Sequence, residues 1–158
     1  MYDEAYIQSH DIDWFCVLNG IPIHVASNGG VLPDLINNWE QLRRIQHEVS
    51  RMENICSLNE LIYNEDFLRQ FDGNNLARRN YVSSFQQMSL KGFWSFDRTS
   101  LESIDDNRCH LVCKPVKEYS LPTQVLNILP RFESSSINFK HSTIKLNNLN
   151  FVELINNI

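Results

Sequence analysis

Two short apolar segments joined by an Asn-Gly pair constrain the fold of this chain more than any other feature of its sequence. The segments cover residues 14–18 and 21–26, and both are rich in residue types that β-strands favour. Asn19 and Gly20 lie between them, and this dipeptide readily supplies the two positive-φ residues of a type I′ turn. The sequence therefore predicts a β-hairpin in which Leu18 pairs with Ile21.

The hairpin register also predicts which polar residues meet at the end away from the turn. Asp13 falls opposite Ala26, and Asp11 falls opposite Asn28. We therefore expect the two aspartates and Asn28 to come together at this open end. His24 lies nearer the middle of its strand, which favours a hydrogen-bonded histidine in the core or at the edge of the sheet.

Three interpretations of the open end follow from its residue types. The two aspartates, with His24 and Asn28 nearby, could bind a cation or polarise a water molecule. The backbone N–H groups around Gly29 and Gly30, just ahead of a predicted helix, could instead bind an anion. These two alternatives conflict, because carboxylates repel anions. In the third interpretation the aspartates solvate a strand end and the glycines only turn the chain.

Three segments are predicted to be helices. Between residues 32 and 52 the apolar side chains recur every three or four positions, which is typical of one helix face. Ser57 and Glu60 form a capping-box sequence, which predicts a shorter helix over residues 57–71. A third apolar stripe predicts a helix over residues 76–90.

The second half of the chain favours strands. Residues 93–97 and 109–116 are rich in β-prone residues, and we expect these two strands to pair antiparallel. Beyond residue 119 the pattern is weaker. It indicates a short helix over residues 121–129 and a strand over residues 137–146. The last residues fit either a helix over residues 151–158 or a strand at Leu149-Asn150-Phe151, and we favour the helix.

This order of elements predicts the fold class. Strands and helices fall into separate groups along the chain, which is typical of an α+β protein. We expect a single globular domain, residues 1–158, in which a mostly antiparallel sheet packs against about three helices. The sheet would combine the N-terminal hairpin with the central strands. With 158 residues, of which 42% are hydrophobic, the chain can bury a core without disulfides or a structural metal.

Charge and hydropathy restrict the partners and the location of the protein. A formal net charge of −5 argues against a large nucleic-acid-binding surface. The pairs Arg43-Arg44 and Arg78-Arg79 diverge around their predicted helices, which favours solvated faces.

The first residues are acidic, unlike a secretory signal, and no apolar run reaches membrane-spanning length. We therefore expect a cytoplasmic protein that does not associate with membranes.

The cysteines are few and scattered, so they predict reduced thiols rather than a disulfide framework. Cys109 and Cys113 have a spacing that zinc sites permit, but no turn residue lies between them. On a strand both would point to the same face as Leu111 and be buried as small apolar groups. No metal and no cofactor is predicted.

Core packing and helix capping account for the residues of the predicted helices and strands. No further cluster of polar residues indicates a catalytic reaction. We therefore expect a soluble binding or assembly domain that contacts a protein partner or a second copy of itself. Asn28, Gly29, Gly30 and the aromatic residue Trp94 are the candidate binding residues. The alternative is a small metal-assisted hydrolase or transferase, with Asp11, Asp13 and His24 as catalytic residues at the open end of the hairpin. The sequence leaves open whether the protein is an enzyme.

Overall fold

The computed structural model describes residues 1–99 and 108–133 in full, together with the backbone of residues 143–145 and 150–151. These residues form an α+β fold, as predicted. In chain order the elements are α1 (Glu4–Ser9), β1 (Asp13–Leu18), β2 (Ile21–Ala26), α2 (Trp39–Ser50), β3 (Leu61–Tyr63), α3 (Glu65–Leu68), α4 (Asn75–Leu90), β4 (Trp94–Arg98), β5 (Arg108–Pro115), α5 (Thr123–Leu126), β6 (Arg131–Glu133), β7 (Thr143–Lys145) and β8 (Asn150–Phe151). The described part therefore has five α-helices instead of about three.

The N-terminal hairpin has the predicted register. β1 and β2 pair antiparallel, with Leu18 opposite Ile21 and Asp13 opposite Ala26. The turn residue Asn19 has φ 49° and Gly20 has φ 82°, which are the positive values that a type I′ turn requires. The local turn sequence is therefore sufficient to set the alignment of these two strands.

The sheet is mixed, which corrects the expectation of a mostly antiparallel sheet. Its strand order is β3-β5-β4-β2-β1-β6-β8, and β7 pairs with β5 as well. β2 runs parallel to β4, and β1 runs parallel to β6, while the other pairs are antiparallel. Parallel neighbours need long connections, and the segment between β2 and β4 supplies one because it includes α2, α3 and α4.

The sheet also curls, so that its two edges approach each other. β7 lies beside β5 and β8 lies beside β6, which places them at opposite edges. In a flat sheet six strand spacings, or about 29 Å, would separate them. Residues 145 and 150 are only five positions apart in sequence, which allows about 18 Å at full extension. A flat sheet is therefore excluded by the length of the chain.

The core has a part on each face of the sheet. On one face Phe15 and Val17 of the hairpin pack against Ile45 and Val49 of α2. On the same face, side chains of α4 cover the neighbouring strands and contact Val112 of β5. The opposite face packs with the segment before α2 and holds its own set of buried residues, which includes Trp14, Cys16, Ile23, Val25, Leu32, Ile36 and Phe96. Both faces of the hairpin strands are therefore buried.

The predicted helix over residues 32–52 begins later than its apolar pattern suggests. α2 starts after Asn38, whose side chain accepts a hydrogen bond from the backbone N–H of Gln41 at 3.3 Å. Leu32 and Ile36 are buried, but they reach the core from irregular chain. Apolar residues in such a segment can match the helical period by chance, which explains the difference.

The predicted helix over residues 57–71 is confirmed only in its second part, where α3 and a following 3₁₀ turn cover residues 65–71, and it is wrong for residues 61–63. Glu60 does accept a hydrogen bond from the Ser57 backbone N–H at 2.9 Å, as in a capping box, but a single 3₁₀ turn follows. The chain then forms β3, because Leu61–Tyr63 pairs with β5. Pairing with the sheet thus overrides the local helix signal.

The remaining predictions divide between the described and undescribed parts of the chain. α4, β4 and β5 are confirmed to within about one residue at each end, and β4 pairs antiparallel with β5. α5 is shorter than the predicted helix over residues 121–129.

β7 confirms the end of the predicted strand over residues 137–146, while residues 137–142 and 146 lie outside the described residues. Asn150 and Phe151 form β8, which agrees with the strand alternative and corrects the favoured helix at this point. The rest of the predicted C-terminal helix lies outside the described residues.

Candidate functional site

The open end of the hairpin brings Asp11 and Asn28 together, as the register predicts. The Asp11 carboxylate accepts a hydrogen bond from the backbone N–H of Asn28 at 2.8 Å. Asn28 has φ 46°, and its carbonyl oxygen accepts a hydrogen bond from Nη1 of Arg98 at 3.2 Å. These contacts hold the chain in a tight turn after β2.

Asp13 is paired with His24 and not with Asp11. The two side chains lie on the same face of the hairpin, and the Asp13 carboxylate is 2.8 Å from Nε2 of His24. His24 is 1% exposed, whereas half of the Asp13 side chain is exposed. The expected group of both aspartates with Asn28 is therefore split, and the histidine near the middle of the strand is the partner of one of them.

The predicted binding glycines have a packing role. A Cβ on Gly29 would lie 2.7 Å from the backbone oxygen of Gln8, and a Cβ on Gly30 would lie 2.8 Å from the backbone oxygen of Ser27. Only glycine permits these close approaches. The backbone N–H of Gly29 donates to the carbonyl of His10 at 3.1 Å, so it already has an acceptor within the protein.

Trp94 is almost completely buried at the start of β4. The Nζ atom of Lys114 lies 4.0 Å from the centre of a Trp94 ring, which is a cation–π contact. Trp94 also lines a crevice at the end of the sheet that carries the hairpin turn.

A second polar cluster, formed by Tyr81, Asp97 and His110, was not predicted from the sequence. The Tyr81 hydroxyl donates to the Asp97 carboxylate at 2.6 Å, and Nε2 of His110 lies 3.3 Å from the same hydroxyl oxygen. Asp97 and His110 are paired across β4 and β5, and each is 6% exposed. The second carboxylate oxygen of Asp97 accepts from the backbone N–H of Arg98 at 2.8 Å.

Burial controls the protonation of this cluster. Removal from water raises the pKa of Asp97, although the hydrogen bond from Tyr81 acts in the opposite direction. Burial, together with the charge of Asp97, raises the pKa of Tyr81 far above its usual value. Burial lowers the pKa of His110 to about 4, so this imidazole is neutral at pH 7. Because the single Tyr81 proton goes to Asp97, His110 donates its Nε2 proton to the Tyr81 oxygen.

This tautomer leaves a lone pair on Nδ1 of His110. That atom is buried and has no hydrogen-bond partner among the described residues. One face of the imidazole stacks on the Phe67 ring at a centroid distance of 3.5 Å. The cluster is thus enclosed by aromatic packing, and the neutral imidazole suits that environment.

A sequence signal for the cluster exists in the alternation of β4 and β5. Asp97 lies on the opposite face of its strand from Phe96, and His110 lies on the opposite face from Leu111. Tyr81 belongs to the apolar stripe of α4 and carries no separate signal. Only the register that places Asp97 opposite His110, together with the packing of α4 on these two strands, shows that the three side chains meet.

The described polar clusters offer no set of metal ligands. Within the described ranges no group of three or more His, Cys, Asp and Glu side chains has a geometry that could hold a metal ion. Each of Asp11, Asp13 and Asp97 accepts a hydrogen bond or pairs with a neighbour inside the protein. This arrangement favours a structural role for the carboxylates, linking the hairpin, β4, β5 and α4.

Removal of the Tyr81 hydroxyl tests this structural role. We expect Tyr81→Phe to lower the free energy of unfolding by about 1–3 kcal/mol, because Asp97 and His110 would be left buried without their shared partner. Urea denaturation monitored by circular dichroism measures the change. Tyr6→Phe is the control, since Tyr6 is exposed and no described group accepts from its hydroxyl. Equal stability of the two variants would contradict the structural role.

Comparisons with known proteins give no family for this chain. No protein-family model, curated protein or solved structure matches it at a significant level. Within the part of the chain that the structure describes, no helix is both long and apolar enough to cross a membrane.

Proposed function

We propose that this chain is a protein-interaction or assembly domain and that the outer edge of β3 is its contact surface. The observation that carries the proposal is a group of exposed apolar side chains at this edge. Ile62 is 44% exposed, Val116 is 55% exposed and Leu58 is 59% exposed. Exposed apolar residues that occur in groups mark interaction surfaces more often than single ones do.

Ile62 and Val116 are close because of the strand register. Ile62 lies opposite Lys114 on β5, and the backbone N–H of Val116 bonds to the carbonyl of Glu60 at 2.7 Å. Val116 is thus two positions beyond the residue that faces Ile62, and the two side chains are diagonal neighbours on one face. Leu58 lies in the 3₁₀ turn that leads into β3.

The backbone of β3 supports the same surface. The carbonyl of Glu60 accepts a hydrogen bond from the N–H of Val116, and the N–H of Asn64 donates to the carbonyl of Val112. These main-chain groups of Glu60 and Asn64 therefore point toward β5. Because backbone groups alternate along a strand, those of Leu61 and Tyr63 point away from β5.

The N–H of Leu61 bonds back to Leu58, so the outward groups include the carbonyl of Leu61 and both main-chain groups of Tyr63. No described strand pairs on this side, where β3 ends the sheet. Such an edge can accept a strand from another chain.

A second copy of this chain is the simplest partner to test. Two identical edge strands can pair antiparallel about a twofold axis, so that each Ile62 approaches the same surface of its partner. We expect the mass from light scattering to rise with protein concentration for the wild type. Ile62→Lys should weaken self-association by at least about tenfold, because it brings like charges together and removes apolar contact.

Leu76→Lys is the matched control for this experiment. Leu76 is 64% exposed at the start of α4, away from β3, and it receives the same change in size and charge. Its self-association should equal that of the wild type. A wild-type protein that remains monomeric at every concentration and binds no protein partner would contradict the proposed function.

The metal-assisted hydrolase or transferase has less support from the geometry. Its predicted residues are Asp11, Asp13, His24 and Asn28, and their side chains or backbone groups contact each other in two separate pairs. A divalent ion that raised the melting temperature of the wild type, but not of Asp11→Asn and Asp13→Asn, would favour this alternative.

A further inference from the structure

A crevice of about 310 Å³ lies at the end of the sheet that carries the hairpin turn. Its lining residues come from the turn between β1 and β2, from the starts of β4 and β6, from residues 118–121 and from α5. Its volume is at the lower end of the range for small-molecule sites in proteins.

Arg131 lines this crevice without a partner among the described residues. Its Nε atom is buried, and no group in residues 1–99 or 108–133 accepts a hydrogen bond from it. None of the described carboxylates forms an ion pair with its guanidinium group. Arg78 gives the contrast, because it donates to both carboxylate oxygens of Glu65, at 2.7 and 2.9 Å. A partly buried guanidinium group loses hydrogen bonds to water when the protein folds. Without an acceptor in the protein these hydrogen bonds are not replaced, and an anion in the crevice would supply the missing acceptor.

The other lining residues place apolar side chains beside polar groups. Trp94 and Tyr119 contribute aromatic surface, while Leu121 and Leu126 contribute aliphatic surface. Tyr119 is held in place by the hydrogen bond from its hydroxyl to Glu60 at 2.9 Å. A ligand that fits these walls therefore has an apolar or aromatic body next to its negative group.

We propose that this crevice binds a small organic monocarboxylate, with the carboxylate on Arg131 and the apolar body against Trp94 and Leu126. A planar guanidinium donates two parallel hydrogen bonds to a carboxylate. Arg131 is the only positively charged residue in the described lining, and its buried Nε is the donor that lacks an acceptor. Glu118 also lines the crevice, but it is exposed, so water screens its repulsion of a single carboxylate. A phosphate dianion would meet more of this repulsion and fits less well. The proposal is independent of the contact surface at β3.

A larger groove elsewhere lacks this selectivity. It has a volume of about 610 Å³, and its lining residues include Arg44 and Arg51 together with Glu48 and Glu53. Among the described residues, neither arginine of this groove has a buried nitrogen without a hydrogen-bond partner, so the groove offers an anion no unpaired buried donor. The unpaired Arg131 distinguishes the smaller crevice.

Titration of the ¹⁵N-labelled protein with phenylacetate, benzoate and cinnamate tests the proposal. We expect at least one of these carboxylates to shift the amide signals of Gly20, Gly92 and Trp94 in a saturable manner at millimolar concentration. Phenylacetamide, a neutral analogue of phenylacetate, should bind at least about tenfold more weakly, because it loses the charge-assisted hydrogen bonds. Inorganic phosphate should also bind more weakly than the best carboxylate.

Arg131→Gln and Arg79→Gln form a matched pair of variants. Each removes one positive charge, but Arg79 is exposed on α4, away from the crevice. We expect at least about tenfold weaker carboxylate binding for Arg131→Gln and wild-type binding for Arg79→Gln. The melting temperature of ligand-free Arg131→Gln should not fall, because no described partner is lost, whereas a structural arginine would lower it.

Ser120→Trp provides a test that does not depend on Arg131. Ser120 is exposed and lines the crevice, so a large side chain there should block the ligand without disturbing the core. The proposal is overturned if no carboxylate shifts the crevice signals. It is also overturned if phenylacetamide or inorganic phosphate binds as tightly as the carboxylates, or if both arginine variants bind alike.

Discussion

Phe15→Ala is expected to lower the free energy of unfolding by about 3–5 kcal/mol, which is the usual cost of removing a large buried ring. Phe15 is 2% exposed, and its ring lies 5.1 Å from the ring of Phe93 and 5.2 Å from the imidazole of His24. It also packs against Ile45 of α2 in the same core cluster. Its loss would leave a cavity where the hairpin, α2 and β4 meet.

Urea denaturation followed by circular dichroism and by tryptophan fluorescence measures this change. Leu76→Ala is the control, because Leu76 is largely exposed and should cost less than about 0.5 kcal/mol. A cost for Phe15→Ala as small as that of the control would show that the hairpin does not dock on α2 in the way described.

Stability is also expected to fall as the pH decreases from 6.5 toward 4, because His110 resists protonation in the folded protein. Burial lowers the folded-state pKa of His110 from 6.5 to about 4. The unfolded chain therefore takes up a proton below pH 6.5 that the folded protein does not accept until about pH 4. Over this interval His110 contributes a loss of about 3 kcal/mol.

The protonation of Asp97 changes the stability of the protein in the opposite direction, over part of the same pH range. Burial raises its folded-state pKa above 3.8, so the folded protein binds a proton before the unfolded chain does. This contribution favours the fold as the pH falls through the raised pKa of Asp97. The effect of His110 is therefore best measured as a difference between the wild type and a variant.

The comparison uses His110→Leu, with His47→Leu as its control. We expect a shallower loss of stability between pH 6.5 and 4 for His110→Leu than for the wild type. His47 is exposed on α2, and its variant should keep the wild-type slope. Identical slopes for the wild type and His110→Leu would contradict the assigned environment of His110.

The hairpin could be predicted from the sequence because its information is local. Asn19 and Gly20 determine the turn, and the turn determines that Leu18 faces Ile21. The parallel pairs of β2 with β4 and of β1 with β6 have no such local signal. They depend on which elements cover the sheet, so the mixed topology could not be predicted from patterns of residues.

The two polar clusters also differ in whether local sequence information predicts them. The contact between Asp11 and Asn28 follows from the hairpin register and was predicted, although Asp13 turns to His24 instead. Tyr81, by contrast, comes from a helix and meets Asp97 and His110 because α4 packs on β4 and β5. The pairing of these strands was predicted, but their register and the position of α4 were not. The crevice likewise depends on β6, whose position beside β1 has no sequence signature.

Amide hydrogen exchange at Tyr63 tests the contact surface at β3 most directly. The N–H of Tyr63 points away from β5, so in dilute protein it should exchange as an amide of an unpaired edge. At concentrations where light scattering detects self-association, we expect its exchange to slow by at least about tenfold, and Ile62→Lys should remove this protection. Exchange at Tyr63 that stays the same while the mass increases would place the contact elsewhere and contradict the proposed surface.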